Sequence, residues 1–241
     1  FFFQAEDGIR DSSVTGVQTC ALPISTGDEL VQIGESPLPH QIRNSNAASL
    51  AVQVARAGGI PKIVAIARDN YASTLERIEE GLECDMLLLS GGVSAGKYDI
   101  VEQVLADLGA QFFFDRVRIQ PGQPLVFGRV RDKFFFGLPG NPVSTMVTFE
   151  TIARVAIERW QGVASPALPL PRARLTREFH QKTGLTRFLP ARLSADGSEI
   201  TPEVSRGSGD VPAISRANAF LVTEPDREVW QAGDDIRLLL K

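Results

Sequence analysis

Histidine and cysteine are nearly absent from this chain of 241 residues, with two of each. Cys20 and Cys84 cannot build a disulfide framework, and neither sits in a C-x-x-C pair or beside a histidine, so a zinc site of ordinary spacing is excluded. His40 and His180 cannot make a histidine-rich metal centre. So few thiols point to a reducing, cytoplasmic setting. Long apolar runs are missing too: stretches such as Asp85–Ser90 are strand-sized, far below the roughly 18–20 residues of a membrane-spanning helix. An excess of positive charge is also lacking. The net charge of −4 offers no general attraction to nucleic acid or an anionic membrane, so neither is an expected partner and any anionic ligand must be held by local donors. What is present, 43% hydrophobic and 22% charged residues, suits a soluble globular protein of one large or two modest domains.

Residues 1–24 stand apart. They have no basic start followed by an apolar core, hence no signal peptide, and Val14–Ile24 is similar to the in-frame translation of a sequencing-library adapter. We expect 1–24 to be a non-native segment joined near Ser25, and the remainder to be a C-terminal fragment of a longer protein; Ala21-Leu22 and Ile24 could still fill the place of the α/β domain's first strand, where Pro23 would cost a ladder bond if central.

From residue 25 to 161, helical periodicity alternates with short apolar runs. Ala47, Leu50, Ala51 and Val54 mark a helix stopped at Gly58-Gly59. Leu75, Ile78 and Leu82 mark a second, and Ile100, Val101, Val104 and Leu105 a third, ended at Gly109. Ile63–Ala67, Met86–Leu89, Phe112–Ile119, Leu125–Val130 and Lys133–Phe136 read as strands, with a hairpin turn at Arg131-Asp132, and Val143–Trp160 as a final long helix. The pattern predicts a three-layer α/β domain with a mostly parallel sheet. Residues 162–171 hold three prolines and read as a linker. From 172 to 241, short β-rich runs separated by turns such as Asp196-Gly197 and Gly233-Asp234 predict a small all-β, barrel-like domain.

In an open parallel sheet, ligands bind beyond the carboxyl ends of the strands. Three loops fall there. Ser90–Asp99 (SGGVSAGKYD) carries Gly91, Gly92 and Gly96, which suit either a tight turn or an anion-binding nest of N–H groups, while Asp99 either caps the next helix or ligates a cation. Gly137–Ser144 (GLPGNPVS) places Asn141 as an N-cap and Pro142 at the first helical position, with Gly140 free for close backbone approach. Thr26–Leu30 (TGDEL) brings Asp28 and Glu29, which with Asp69 and Asp99 make a sparse carboxylate set of the kind Mg²⁺ accepts beside phosphate and water. Gln120–Pro124 (QPGQP) is a rigid turn between strands. No P-loop pattern occurs.

TGDEL, SGGVSAGKYD, QPGQP and GLPGNPVS, in this order and spacing, together with GSGD at 207–210 and Ala217–Val222, resemble the molybdopterin molybdenumtransferase family, whose relatives include the gephyrin E-domain. The resemblance covers Thr26 to Lys241. It implies a transferase of molybdenum cofactor biosynthesis that inserts molybdate into adenylylated molybdopterin (molybdopterin-AMP) in a Mg²⁺-dependent step and releases AMP, and that works as a homodimer when intact. By position it implies Asp69 and Asp99 as catalytic residues and Asp28, Glu29 and Asp99 as metal ligands. Substrate contacts would come from Thr26, Gly27, Gly91, Gly92, Ser94, Gln120, Pro121, Gln123, Pro124, Gly140, Asn141, Pro142 and Ser144. Many members carry lysine in the P-G-x-P turn where this chain has Gln120 and Gln123, so molybdate capture there is expected to be weakened or moved. Because upstream domains complete the family's site, impaired activity is expected of this chain alone. Two other readings stay open: a molybdopterin adenylyltransferase-like nucleotide-binding domain, against which residues 172–241 count, and a gephyrin-like non-catalytic scaffold.

Overall fold

The computed structural model describes residues 19–92 and 99–241; the expectations for residues 1–18 and for Ser94 lie outside them. Strand β1 (Cys20–Ser25) opens the fold, followed by β2 (Leu30–Val31), β3 (Ile42–Arg43), helix α1 (Ser45–Arg56), β4 (Ile60–Pro61), α2 (Tyr71–Gly81), β5 (Met86–Ser90) and α3 (Ile100–Asp107). Next come β6 (Gln111–Arg116), β7 (Ile119–Gln120), β8 (Pro124–Val130) and β9 (Lys133–Leu138). Helix α4 (Pro142–Thr148) then continues through a π-helical turn, Phe149–Ala153, into α5 (Arg154–Trp160). Residues 162–171 form no helix or strand. Beyond them lie β10 (Arg172–Leu175), β11 (Phe179–His180), β12 (Thr186–Leu193), β13 (Glu199–Pro202), α6 (Val211–Arg216), β14 (Ala219–Thr223), β15 (Val229–Trp230) and β16 (Asp235–Leu240).

The first sheet has the order β4-β1-β5-β9-β8-β6, parallel from β4 to β9 and antiparallel across β8 and β6. Its central strands are buried on both faces, and alternate residues serve different layers. Leu22, Ile24, Leu87, Leu89 and Phe135 pack with α2 and α3, while Ala21, Met86, Leu88, Phe136 and Leu138 pack with α1, the π turn and α5. This is the expected three-layer arrangement with a mostly parallel, though mixed, sheet.

The structure departs from expectation at its edge. Residues 20–24, set aside from the domain in the sequence, form its second strand, with Ala21 and Leu22 fully buried. Pro23 is tolerated there for a directional reason. Odd-numbered residues of β1 bond toward β4, as Ile60 N–H to Thr19 O and Ala67 N–H to Ser25 O show. The donor that Pro23 lacks therefore faces residues 62–66, which form no ladder. The predicted strand Ile63–Ala67 does not form: pairing on this side is confined to β4, which lies before it, and to an isolated bridge, Thr26 to Ala67. Cys20 and Cys84 are joined in a disulfide with Cα atoms 5.1 Å apart, a single crosslink where two separate thiols were expected.

Strands β13-β10-β16-β14-β12 close on themselves through a β12–β13 pairing, making a small barrel around Leu175, Ile200, Leu221, Trp230 and Leu238. It carries one short helix, α6, that strand patterning did not suggest; Asp210 caps it through Ala213 N–H at 3.0 Å. The two domains share a seam. Predicted strand Phe112–Ile119 splits, and its end, β7, crosses to pair with β12, while Val143 and Val147 of α4 pack on Phe188, Phe220 and Leu239. Among the described residues no helix is long and apolar enough to cross a membrane.

Candidate functional site

Strands β1, β5 and β9 end side by side, and the ladder continues one residue past β1 and β5: Thr26 N–H donates to Ser90 O and Gly91 N–H to Leu138 O, both at 3.2 Å. Loops 26–30, 90–92 and 137–144 are thereby set around one cleft of about 830 Å³. Beneath it lies a buried polar network that sequence reading missed. Ser25 Oγ donates to Asn44 Oδ1 (2.9 Å) and meets Ser90 Oγ (3.1 Å), and Asn44 also caps α1 through Ala47 N–H. Asn46, two residues on, donates from Nδ2 to Gly140 O at 2.7 Å and ties the third loop to α1. Asn44 before an amphipathic run is a readable cap signal; nothing local marks Asn46, whose partner is 94 positions away.

The cleft gathers Thr26, Gly27, Glu29, Asp69, Gly91, Gly92, Pro124, Gly140, Asn141 and Pro142 from the expected set. Gly209 and Val211 of the C-terminal domain also line it, so both domains build the site. The glycines are there for different reasons. Gly91 (φ +89°) and Gly92 (φ +62°) adopt left-handed backbone, and a side chain on Gly92 would come within 2.6 Å of Val101 Cγ2. Gly140 needs no such conformation, and a Cβ there would meet only Gly91, at 3.4 Å.

Asn141 precedes α4 as expected but makes no capping bond with its side chain. Proline occupies the first helical position, and the next amide, Val143 N–H, is taken by Ser208 O of the C-terminal domain at 3.2 Å. The carboxamide of Asn141 is left to face the cleft.

The acidic residues do not converge as one metal set. Asp28 Oδ1 accepts from Asp69 N–H and Asp69 Oδ2 from Asp28 N–H, both at 3.2 Å, a reciprocal clamp between two loops. Asp99 Oδ1 accepts from Val101 N–H at 3.0 Å, so the capping role is realised. Asp69 and Asp99 both line, with Thr26 and Gly92, a recess of about 190 Å³ beside the main cleft. Glu29 folds over Gly27 within the cleft. Among the described residues no three His, Cys, Asp or Glu side chains are grouped to hold an ion. One turn into α3, Glu102 is pushed above the usual carboxylate range, first by burial and then by the charges of Asp99 and Asp115.

Gln120, Pro121, Gln123 and Ser144 line a second cleft, about 460 Å³, at the domain seam, and share Pro124, Pro139 and Asn141 with the first. Gln120 Oε1 accepts from Arg187 Nη1 of β12, a partner the sequence did not reveal.

An α/β layer with a glycine-lined cleft at its strand ends, covered by a β barrel, defines a nucleotide- or pterin-type binding protein. The chain belongs to the family described as the probable molybdopterin binding domain, matched over residues 23–159, and residues 172–241 match the MoeA C-terminal region (domain IV). It is 32% identical over 223 residues to the molybdopterin molybdenumtransferase of a Nostoc species, covering 89% of this chain and 51% of that protein. To the Bacillus subtilis protein of the same name it is 30% identical over 220 residues, covering 90% and 51%. The crystal structure of a molybdopterin biosynthesis MoeA protein from Pyrococcus horikosii superimposes with a TM-score of 0.80 at 27% identity, covering 92% of this chain and 54% of that one. The chain spans about half the length of the curated relatives it matches.

Proposed function

We propose that this chain is the molybdopterin-binding and C-terminal part of a molybdenumtransferase that exchanges the adenylyl group of molybdopterin-AMP for molybdate and releases AMP. One observation carries the reading: the two clefts meet at Asn141, Pro124 and Pro139. A pyrophosphate-linked substrate in the first cleft would lie next to an oxyanion in the second, as transfer between them requires. Backbone N–H groups of the glycine loops other than that of Gly91, which is bonded to Leu138 O, serve the phosphate oxygens, and the Asn141 carboxamide stands at the junction. Asp69 and Asp99, with Glu29 nearby, have the hard oxygen donors that suit Mg²⁺, which takes one or two carboxylates and completes its shell with phosphate and water. Bound there, Mg²⁺ would offset charge on the departing AMP. Asp28, with one oxygen committed to the Asp69 amide, holds the loop. The intact protein works in the cytoplasm as a homodimer in this reading.

Calorimetry with AMP tests the reading on this chain. AMP is expected to bind, and more tightly with Mg²⁺ present; no binding in either condition refutes it. A variant of the intact protein then separates enzyme from scaffold. Asp99→Asn keeps a capping oxygen but loses a charge, and is expected to slow AMP release by about 10²–10³. An unchanged rate would leave Asp99 as a helix cap alone.

A further inference from the structure

The two edges of the first sheet are finished differently. At one, β4 has two residues, the second of them Pro61, a short and blunted edge. At the other, β6 runs for six residues without a proline, every residue of it is exposed, and no strand lies beyond it among the described residues. Three of its residues are consecutive phenylalanines, Phe112 to Phe114, each 37–45% exposed, where an edge strand ordinarily carries lysine or proline. They belong to a wider aromatic surface. Phe112 meets Phe135 edge-on at 5.6 Å, on the side of α2 and α3. Register shifts along β6 let Phe113 and Phe114 both pack on Phe127 instead, at 5.3 and 5.6 Å. Phe127 stacks on Phe134, and Phe134 touches Trp160, which is also exposed. None of residues 111–116 lines either cleft, so the ligand site gives no reason for this apolar edge.

We infer that β6 pairs antiparallel with β6 of a second copy of this chain, joining the two sheets edge to edge about a two-fold axis, with Phe113 of each copy opposite Phe114 of the other. Direction favours it, because β9, β8 and β6 already alternate and an antiparallel neighbour continues the run. Charge selects the same arrangement. Asp115 and Arg116 sit together at one end of the strand, so a parallel copy would set like charge against like. The antiparallel copy carries the charged ends apart, places Gln111 opposite Arg116 as a neutral acceptor, and leaves phenylalanine against phenylalanine in the middle. Such a pairing is self-complementary and consumes both open edges, so it closes at two copies.

Sedimentation velocity over a concentration series is expected to show a monomer–dimer equilibrium with Kd on the order of 10 µM, the scale of a small interface. Hydrogen exchange of the parent chain is expected to slow at the amides of residues 112–116 as concentration rises, and to stay constant at β4. Phe113→Lys brings two lysines together across the axis and is expected to weaken the dimer at least about tenfold, with melting temperature and AMP affinity unchanged. Val204→Lys alters an equally exposed apolar side chain of the C-terminal domain and is expected to leave association as it is. A parent that stays monomeric, or that grows past the dimer, overturns the inference. So does a dimer in which the amides of 112–116 exchange no more slowly than in the monomer, since another surface then holds it. Equal loss with Val204→Lys would show unspecific apolar adhesion and overturns it as well. Should Phe113→Lys melt lower than the parent, the exchange measurement on the parent decides by itself.

Discussion

Loops 90–92 and 137–144 look alike in sequence, each a glycine-bearing entry to a helix at the end of a parallel strand, yet they use glycine differently. At Gly92 the backbone itself demands it: φ is +62° and any Cβ would run into Val101 and Thr26. At Gly140 nothing but Gly91 stands nearby, and the loop is held from outside by Asn46 and Ser208. Glycine in the first loop is thus a requirement of folding, and in the second a provision of space beside the cleft. Affinity lost on substitution therefore means different things in the two places.

Four measurements press on that contrast. The largest effect is expected for Gly92→Val, which combines left-handed strain with overpacking and should destabilise the chain by roughly 3 kcal/mol or more in denaturant unfolding. A variant as stable as the parent would make the two loops equivalent after all. Asn46→Ala removes the bond from Nδ2 to the Gly140 carbonyl and is expected to cost about 1–2 kcal/mol while also weakening AMP. If stability falls and AMP affinity does not, the third loop is not part of the ligand cleft. Gly140→Ala is expected to change stability by less than about 1 kcal/mol but to weaken AMP several-fold, because a methyl group there costs space rather than conformation. The smallest effect lies far from both loops. Asp196, in the β12–β13 turn, is held down to about 2 from an ordinary 3.8 by hydrogen bonds from Ser194 and Ser198. Since the folded value is the lower one, its contribution is complete above about 4 and is lost as pH falls toward 2. Asp196→Asn should flatten that acid limb slightly and leave AMP binding at neutral pH untouched; altered binding would show that the barrel turn communicates with the cleft.

Much of the architecture was legible because short-range chemistry wrote it. Asp99 caps its helix through its own side chain, Gly58 and Gly109 follow helix ends, and Arg131-Asp132 makes the hairpin turn. The run Met86–Leu89 advertised a strand buried on both faces. Illegible were the features that depend on a neighbour. Ile63–Ala67 has the apolar content of a strand, but its would-be partner presents Pro23 where a donor is needed. Residues 20–24 look foreign in composition, yet they satisfy the pleat, with Leu22 and Ile24 facing one helix layer and Ala21 the other.

The candidate site divides along the same line. Which residue types would gather at the strand ends was written in the chain, because turn glycines, capping asparagines and loop carboxylates act on the few residues beside them. What each of them does was decided in three dimensions. Asp28 and Asp69 clamp each other's loops across 41 positions, Asn46 reaches Gly140 across 94, and Arg187 reaches Gln120 across 67. Such pairings follow from sheet register and from the packing of the two domains at their seam. Those terms sum over the whole core, and no local stretch of sequence contains them.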